Sequence, residues 1–182
     1  SCRHNKIIFV VSTGRCGSTS IVDMLNQHKS LRAYHEVIPD LIRLSTELAE
    51  KPEKKAYFYK DLSRIFRKRD WEGYPNEIII HSDHRLWNLI EYLSIFFPNS
   101  QFIHLMRNPR DSIKSFVPRG WYTLEDFENN NNPFAKYRLR GDRVDFINGE
   151  EWADLDQIEK CCWYWNFVNT KSSNCGSRCH KN

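Results

Sequence analysis

Apolar and polar positions along this chain fall into blocks that predict strands and helices taking turns. Residues 7–11, Ile-Ile-Phe-Val-Val, are a short continuous apolar run, the pattern of a strand buried on both faces. Beyond a glycine-containing turn, Ile21, Val22 and Leu25 recur at helical spacing and predict a helix over 18–28. A second helix is expected over about 37–50, with Leu41, Leu44 and Leu48 on one face. Residues 51–55 read as a charged linker and 57–70 as an irregular or helical piece. A strand over 78–80 precedes Leu86, Leu89, Ile90, Leu93 and Phe97, again at helical spacing, up to Pro98. A strand over 102–106 then leads into a helix over 111–117, which Pro118 and Gly120 stop. A polar loop over 125–132 and a basic stretch with Lys136, Arg138, Arg140 and Arg143 follow, both read as solvated. The last helix is expected over 150–169, with Trp152, Leu155, Ile158, Cys162 and Trp165 on one core-facing stripe. Residues 171–182 are polar and patternless, a tail after one domain over 1–170.

Apolar strands joined by helices predict an α/β fold with a mostly parallel sheet covered on both sides. Ligands in such sheets sit beyond the carboxyl ends of the strands. The first such end reads Gly14-Arg15-Cys16-Gly17-Ser18-Thr19. Gly14 and Gly17 can take positive φ and bring backbone close to an anion, and the helix after them presents unpaired N–H groups and a positive dipole end. The turn departs from the nucleoside-triphosphatase loop, which has four residues between its glycines and a lysine after the second. An ordinary tight turn and a phosphate loop both fit it. The strand end at 102–106 favours the second reading. Arg107 leaves that strand, and Ser115 lies eight residues on, inside the next helix. An arginine fork binds a lone phosphate through two parallel hydrogen bonds.

With these two motifs in this order, the chain resembles the sulfotransferases that use 3′-phosphoadenosine 5′-phosphosulfate, PAPS. The resemblance covers roughly residues 5–120, with a weaker echo in the tryptophan-rich helix near residue 163. It implies a P-loop-like three-layer sandwich with a mostly parallel central sheet. It also implies that Gly14, Arg15, Cys16, Gly17, Ser18 and Thr19 hold the 5′-phosphosulfate and that Arg107 and Ser115 hold the 3′-phosphate. Arg15 stands where the cytosolic aryl branch has lysine, which resembles the carbohydrate and protein-tyrosine branches. The implied reaction moves a sulfonyl group from PAPS to a hydroxyl or amine, probably on a carbohydrate, with 3′,5′-adenosine bisphosphate (PAP) as product and no metal. By family position Glu36 is the expected base, with His35 next; Arg15 and the amides after it would stabilise the leaving oxygen. Relatives carry a lysine near 81 that contacts the sulfonyl oxygens. Here His81 replaces it, or the cluster His81, Asp83, His84 and Arg85 opens a helix with Asp83 as cap.

Two departures bear on activity. Arg107-Asn108-Pro109 replaces the usual Arg-Asp-Pro, and nothing matches the late Arg-Lys-Gly loop of some relatives, so the chain reads as a short variant or a fragment. A PAPS- or PAP-binding module without catalysis and a divergent nucleotide kinase are the competing readings. The kinase would need magnesium and carboxylates to hold it.

Composition narrows the setting. The 182 residues are 40% hydrophobic and 14% aromatic, enough for one globular domain. A net charge of +4 suits an anionic ligand without pointing to nucleic acid. No run is long and apolar enough for a membrane helix, and no signal pattern opens the chain. Six cysteines without any Asn-x-Ser/Thr sequon tilt toward a reducing cytoplasmic setting, with the Golgi lumen the alternative if an amino-terminal anchor precedes Ser1. Cys175, Cys179 and His180 are too few for a zinc site.

Overall fold

Four short strands lie parallel in one sheet: β1 (Lys6–Ser12), β2 (Leu31–His35), β3 (Ile78–Ser82) and β4 (Gln101–Leu105), in the order β2-β3-β1-β4. The computed structural model describes residues 6–67, 77–123, 135–145 and 147–179. Central β1 pairs Ile8 with Ile80 on one side and with Gln101 on the other.

The unbroken apolar run of β1 is explained by burial from both sides. Ile7, Phe9 and Val11 pack into one cluster with side chains of α2 (Leu41–Glu50), α3 (Lys55–Arg67) and α4 (Ile90–Phe96). Ile8 and Val10 pack with Val22 and Leu25 of α1 (Ser18–Leu25) on the opposite face. This is the expected α/β sandwich. A third cluster joins Phe116 of α5 (Pro109–Phe116) to Trp152 of the short helix α7 (Gly149–Asp154) and to Cys161, Tyr164 and Val168 of α8 (Gln157–Cys179).

The structure differs from the sequence expectations at several element ends, each time for a local reason. Strand β2 was not expected. Its residues Leu-Arg-Ala-Tyr-His bury only Ala33 fully, so no apolar pattern announces it. Helix α1 ends at Leu25 because the Asn26 side chain leaves the helix. Its amide donates to the Ala33 carbonyl at 2.9 Å and accepts from the Ala33 N–H at 2.8 Å, which docks β2. Helix α2 starts at Leu41 rather than near 37, since Pro39 disfavours helical backbone at Ile38. The piece expected from 57 is helical from Lys55 to Arg67; residues 68–70 lie outside the described residues, as does the loop at 125–132.

The helix expected over 150–169 is broken. Leu155 takes extended backbone, and Asp156 then caps α8: its carboxylate accepts from the Glu159 N–H at 2.8 Å while Glu159 accepts from the Asp156 N–H at 2.8 Å. The break rotates the stripe. Cys161, Tyr164 and Val168 are buried, whereas Ile158 and Cys162 are exposed. Helix α8 also runs through Cys179, past the residue 170 at which the patterned domain was expected to end, and buries Ser172.

Helix α6 (Gly141–Val144) starts at a glycine for a packing reason. A Cβ on Gly141 would lie 2.8 Å from Cε3 of the buried Trp152 ring. Gly141→Ala is therefore expected to destabilise the fold by about 1–3 kcal/mol through overpacking, read as a lower urea midpoint with unchanged slope. An unchanged midpoint would show that the ring moves aside freely.

Candidate active site

The carboxyl ends of the strands open into one cleft of about 430 Å³. Its floor is the turn after β1. Gly14 and Gly17 have φ of +76° and +89°, and between them Arg15 is also left-handed, at +56°. A Cβ on Gly14 would press on the His84 ring at 3.4 Å, so this glycine also makes room for a neighbour. Gly17 is the residue before α1, whose first N–H groups have no intrahelical partner and point at the cleft floor. Ser18 is anchored there by His35 at the end of β2, with Ser18 Oγ and His35 Nε2 at 2.9 Å.

The second wall comes from the turn after β4 and from α5. Asn108 caps α5 by accepting from the Arg110 N–H at 3.0 Å, and Pro109 opens the helix. Arg107 donates through Nη1 to the Arg15 carbonyl at 3.0 Å, and Arg15 donates through Nε to Ser115 Oγ at 3.3 Å. Two motifs some ninety residues apart thus meet at hydrogen-bond distance. One continuous cleft takes in both motifs, and the Arg15 side chain turns toward Ser115.

Helix α8 holds both loops. The buried Tyr164 hydroxyl donates to the Thr13 carbonyl at 3.1 Å, and Trp165 Nε1 donates to the Arg107 carbonyl at 3.2 Å. Burial pushes the Tyr164 phenol well above its ordinary range, so it stays a donor at every physiological pH. The tryptophan-rich helix is a brace for the site.

Glu36 lies just past β2 with φ +49°, a conformation that non-glycine residues rarely adopt and that concentrates at functional sites. Its carboxylate stands between two histidines: Oε1 is 2.7 Å from His84 Nδ1 and 3.7 Å from His35 Nε2. Burial pushes the Glu36 carboxyl up, but the His84 hydrogen bond and charge outweigh it and hold it below the usual carboxylate range. Glu36 is therefore ionised at neutral pH.

Of the residues expected from the sequence, Gly14, Arg15, Gly17, Ser18, Thr19, His35, Glu36, Arg107 and Ser115 all line the cleft. Cys16 does not, because its side chain is buried beneath the turn. His81 does not either. It is fully buried, with Nε2 at 3.8 Å from Asp83 Oδ2, so it cannot stand in for a lysine reaching bound ligand. The capping reading of its cluster holds instead. Asp83 accepts from the Arg85 N–H at 2.9 Å at the start of a 3₁₀ turn, and from Arg85 Nε at 2.6 Å. Its second oxygen is bound by Arg85 Nη2. Glu36, Asp83 and His84 place their ligand atoms within 4.8 Å of one another, with both Asp83 oxygens engaged by Arg85 and Glu36 Oε1 engaged by His84.

Four cleft residues went unassigned in the sequence, the first being Ser20 in the opening turn of α1. His84 reaches it from the turn after β3; Arg119 and Trp121 reach it from the turn after α5. Trp121 is fixed on both faces, by Phe116 stacked at 4.4 Å between centroids and by the Arg138 guanidinium at 4.3 Å. The sequence carried a signal for His84, one residue after a capping Asp; for Arg119 and Trp121 it carried none.

This arrangement agrees with what comparison with known proteins finds. Residues 8–144 match the description "Sulfotransferase family". The chain belongs to the sulfotransferase family. Among curated proteins, nothing matches it. The match spans both cleft walls and includes every residue that lines the cleft, and it makes sulfotransfer the class of activity to which this sulfotransferase domain belongs. Among the described residues no helix is long and apolar enough to cross a membrane.

Proposed function

We propose that this sulfotransferase moves a sulfonyl group from PAPS to a hydroxyl or amine acceptor, in our reading on a carbohydrate. The observation that carries this is the meeting of Arg15 with Ser115, which joins a glycine-rich helix start to an arginine–serine pair in one cleft. That pairing suits a nucleotide with anionic groups at both ends, since each anion needs its own donors. Arg107 and Ser115 hold the 3′-phosphate; Gly14, Gly17, Ser18 and Thr19 hold the 5′-phosphosulfate. Bound PAPS supplies the sulfonyl group and departs as PAP.

The chain's own residues then orient the acceptor, remove its proton and stabilise the leaving oxygen. The amide N–H groups at the start of α1 face the charge that develops there, fixed in place before reaction. Glu36 is held ionised by His84 and is a weak base in that state. It orients His84 instead: when the ring is the neutral tautomer with Nδ1–H donating to Glu36, the other ring nitrogen is left to accept the acceptor's proton. The base is thus the Glu36–His84 pair, with His35 positioning Ser18. A further cavity of about 70 Å³ adjoins His84 and Trp121 and gives the acceptor an approach to that nitrogen. The free thiols Cys16, Cys161 and Cys162 suit a reducing compartment, the cytoplasm in our reading.

Calorimetric titration with PAP and, separately, with ADP plus magnesium tests the donor. Preferential ADP binding would replace this reading with a kinase. Arg107 is exposed, so loss of its charged hydrogen bond sets the scale: Arg107→Ala is expected to weaken PAP by about 1.5–3 kcal/mol. Unchanged affinity would remove Arg107 from the site.

A further inference from the structure

The cavity beside His84 differs in kind from the cleft it adjoins. The cleft holds about 430 Å³, within the range of pockets that take a whole small molecule, whereas the cavity holds about 70 Å³, far below that range. His84 and Trp121 line both spaces and so stand where the two meet. With a nucleotide filling the cleft, an acceptor reaches His84 through the cavity, and only with as much of itself as the cavity admits.

The walls are held too firmly for the cavity to widen. Ser45 Oγ donates to Asn88 Oδ1 at 2.7 Å, and Asn88 Nδ2 donates back to the Ser45 carbonyl at 2.7 Å. Thr46 Oγ1 donates to the Tyr137 carbonyl at 2.6 Å, the Tyr164 hydroxyl is tied to Thr13, and Arg85 is tied to Asp83. Both faces of Trp121 are taken, by Phe116 and by Arg138, so its indole offers a sugar ring no surface on which to stack. A wall packed in this way admits a larger guest only by straining its side chains.

Size then selects the chemistry. A terminal CH₂–OH is narrow and enters end-on. A hydroxyl set directly on a saturated or aromatic ring brings the whole ring to the mouth of the cavity before its oxygen reaches His84. An aliphatic amine of the same width arrives as an ammonium at neutral pH, since its pKa is about 10, and has no lone pair with which to attack.

We propose that the cavity beside His84 is a size filter for the acceptor, and that the protein sulfonates a primary hydroxyl carried on a CH₂ arm in preference to ring hydroxyls and phenols. This rests on the donor cleft and the Glu36–His84 base read above. In the step itself the primary oxygen bonds to the sulfonyl sulfur as the bond from that sulfur to the 5′-phosphate oxygen breaks. The hydroxyl proton passes to His84, and PAP leaves with the bonding pair.

The test gives the whole chain labelled PAPS and one of three acceptors: methyl glucopyranoside; its 6-deoxy analogue, which keeps the ring hydroxyls but lacks the CH₂–OH; and phenol. Methyl glucopyranoside is expected to gain sulfate on its CH₂–OH oxygen, located by fragmentation mass spectrometry. The other two should react at least about tenfold more slowly, the lower end of what pocket size discriminates. Ile42 of α2 is half-buried and lines the cavity but not the cleft. Ile42→Trp fills the cavity and should lower kcat/KM for methyl glucopyranoside at least about tenfold, while PAP affinity, which reads fold and donor site together, stays within about threefold. Ile42→Ala widens the cavity and should raise the rate with phenol relative to that with methyl glucopyranoside. Reaction of phenol or the 6-deoxy analogue within about tenfold of methyl glucopyranoside would overturn the filter. So would an unchanged kcat/KM in Ile42→Trp, or no reaction with any acceptor by a chain that binds PAP. A chain that does not bind PAP would overturn the donor reading instead, and the filter with it.

Discussion

His84→Ala is expected to lower kcat by about 10²- to 10⁴-fold, the range for loss of a positioned general base, while PAP affinity stays within about threefold. The reason is geometric. His84 is held by Glu36 at 2.7 Å on Nδ1 and lines both the cleft and the cavity beside it, which under the proposed reading makes its other ring nitrogen the proton acceptor. Glu36→Gln keeps a hydrogen-bond acceptor but removes the charge that stabilises an imidazolium. Its kcat should fall less than that of His84→Ala, because the hydrogen bond that aims the ring is kept. Steady-state sulfotransfer across pH 5–9 reads both effects. A kcat for His84→Ala within threefold of the parent would return the role of base to Glu36 or His35.

The second large effect is on stability. Asp83 and Arg85 form an ion pair at the edge of the core, with Asp83 fully buried and Arg85 nearly so. Burial pushes the Asp83 carboxyl up, but hydrogen bonds from His81 and Arg85 and the charge of Arg85 overcome it and hold the group far below the ordinary carboxylate range. Removing one partner strands the other charge away from water, so Asp83→Ala should cost about 3–5 kcal/mol in urea unfolding at pH 7. The sign with pH follows from linkage. A carboxylate with a depressed folded pKa contributes stability that is present above the unfolded value near 4 and is lost as pH falls below it toward the folded value. The gap between parent and variant should therefore stay constant from pH 7 to 5 and narrow below about pH 4. A gap that persists undiminished at pH 3 would show that shape, not the charge pair, sets the cost. His84 follows Asp83 directly, so Asp83→Ala should also weaken catalysis by releasing the turn that aims His84.

Both predictions concern residues that the linear pattern handled unevenly. The glycine turn at Gly14 and Gly17 was legible because local chemistry fixes it: positive φ needs glycine. Asp83 was legible as a cap through equally local chemistry. Strand β2 was not, since an edge strand with one buried side chain leaves no periodic trace, and neither was the break at Leu155, although Asp156 and Glu159 carried a capping-box signal.

By itself, then, the sequence determined the α/β class, the central strand and the two turns at the strand ends, because these depend on short-range periodicity and backbone preference within a few residues. Only the tertiary structure decided which side chains share the cleft. It buried Cys16 and His81, turned Arg15 toward Ser115 one hundred residues away, and brought His84, Arg119 and Trp121 into the wall. Those choices depend on which way each chain segment faces after packing, and a rotation of one residue along a strand or helix reverses that direction without changing the composition that announces the element.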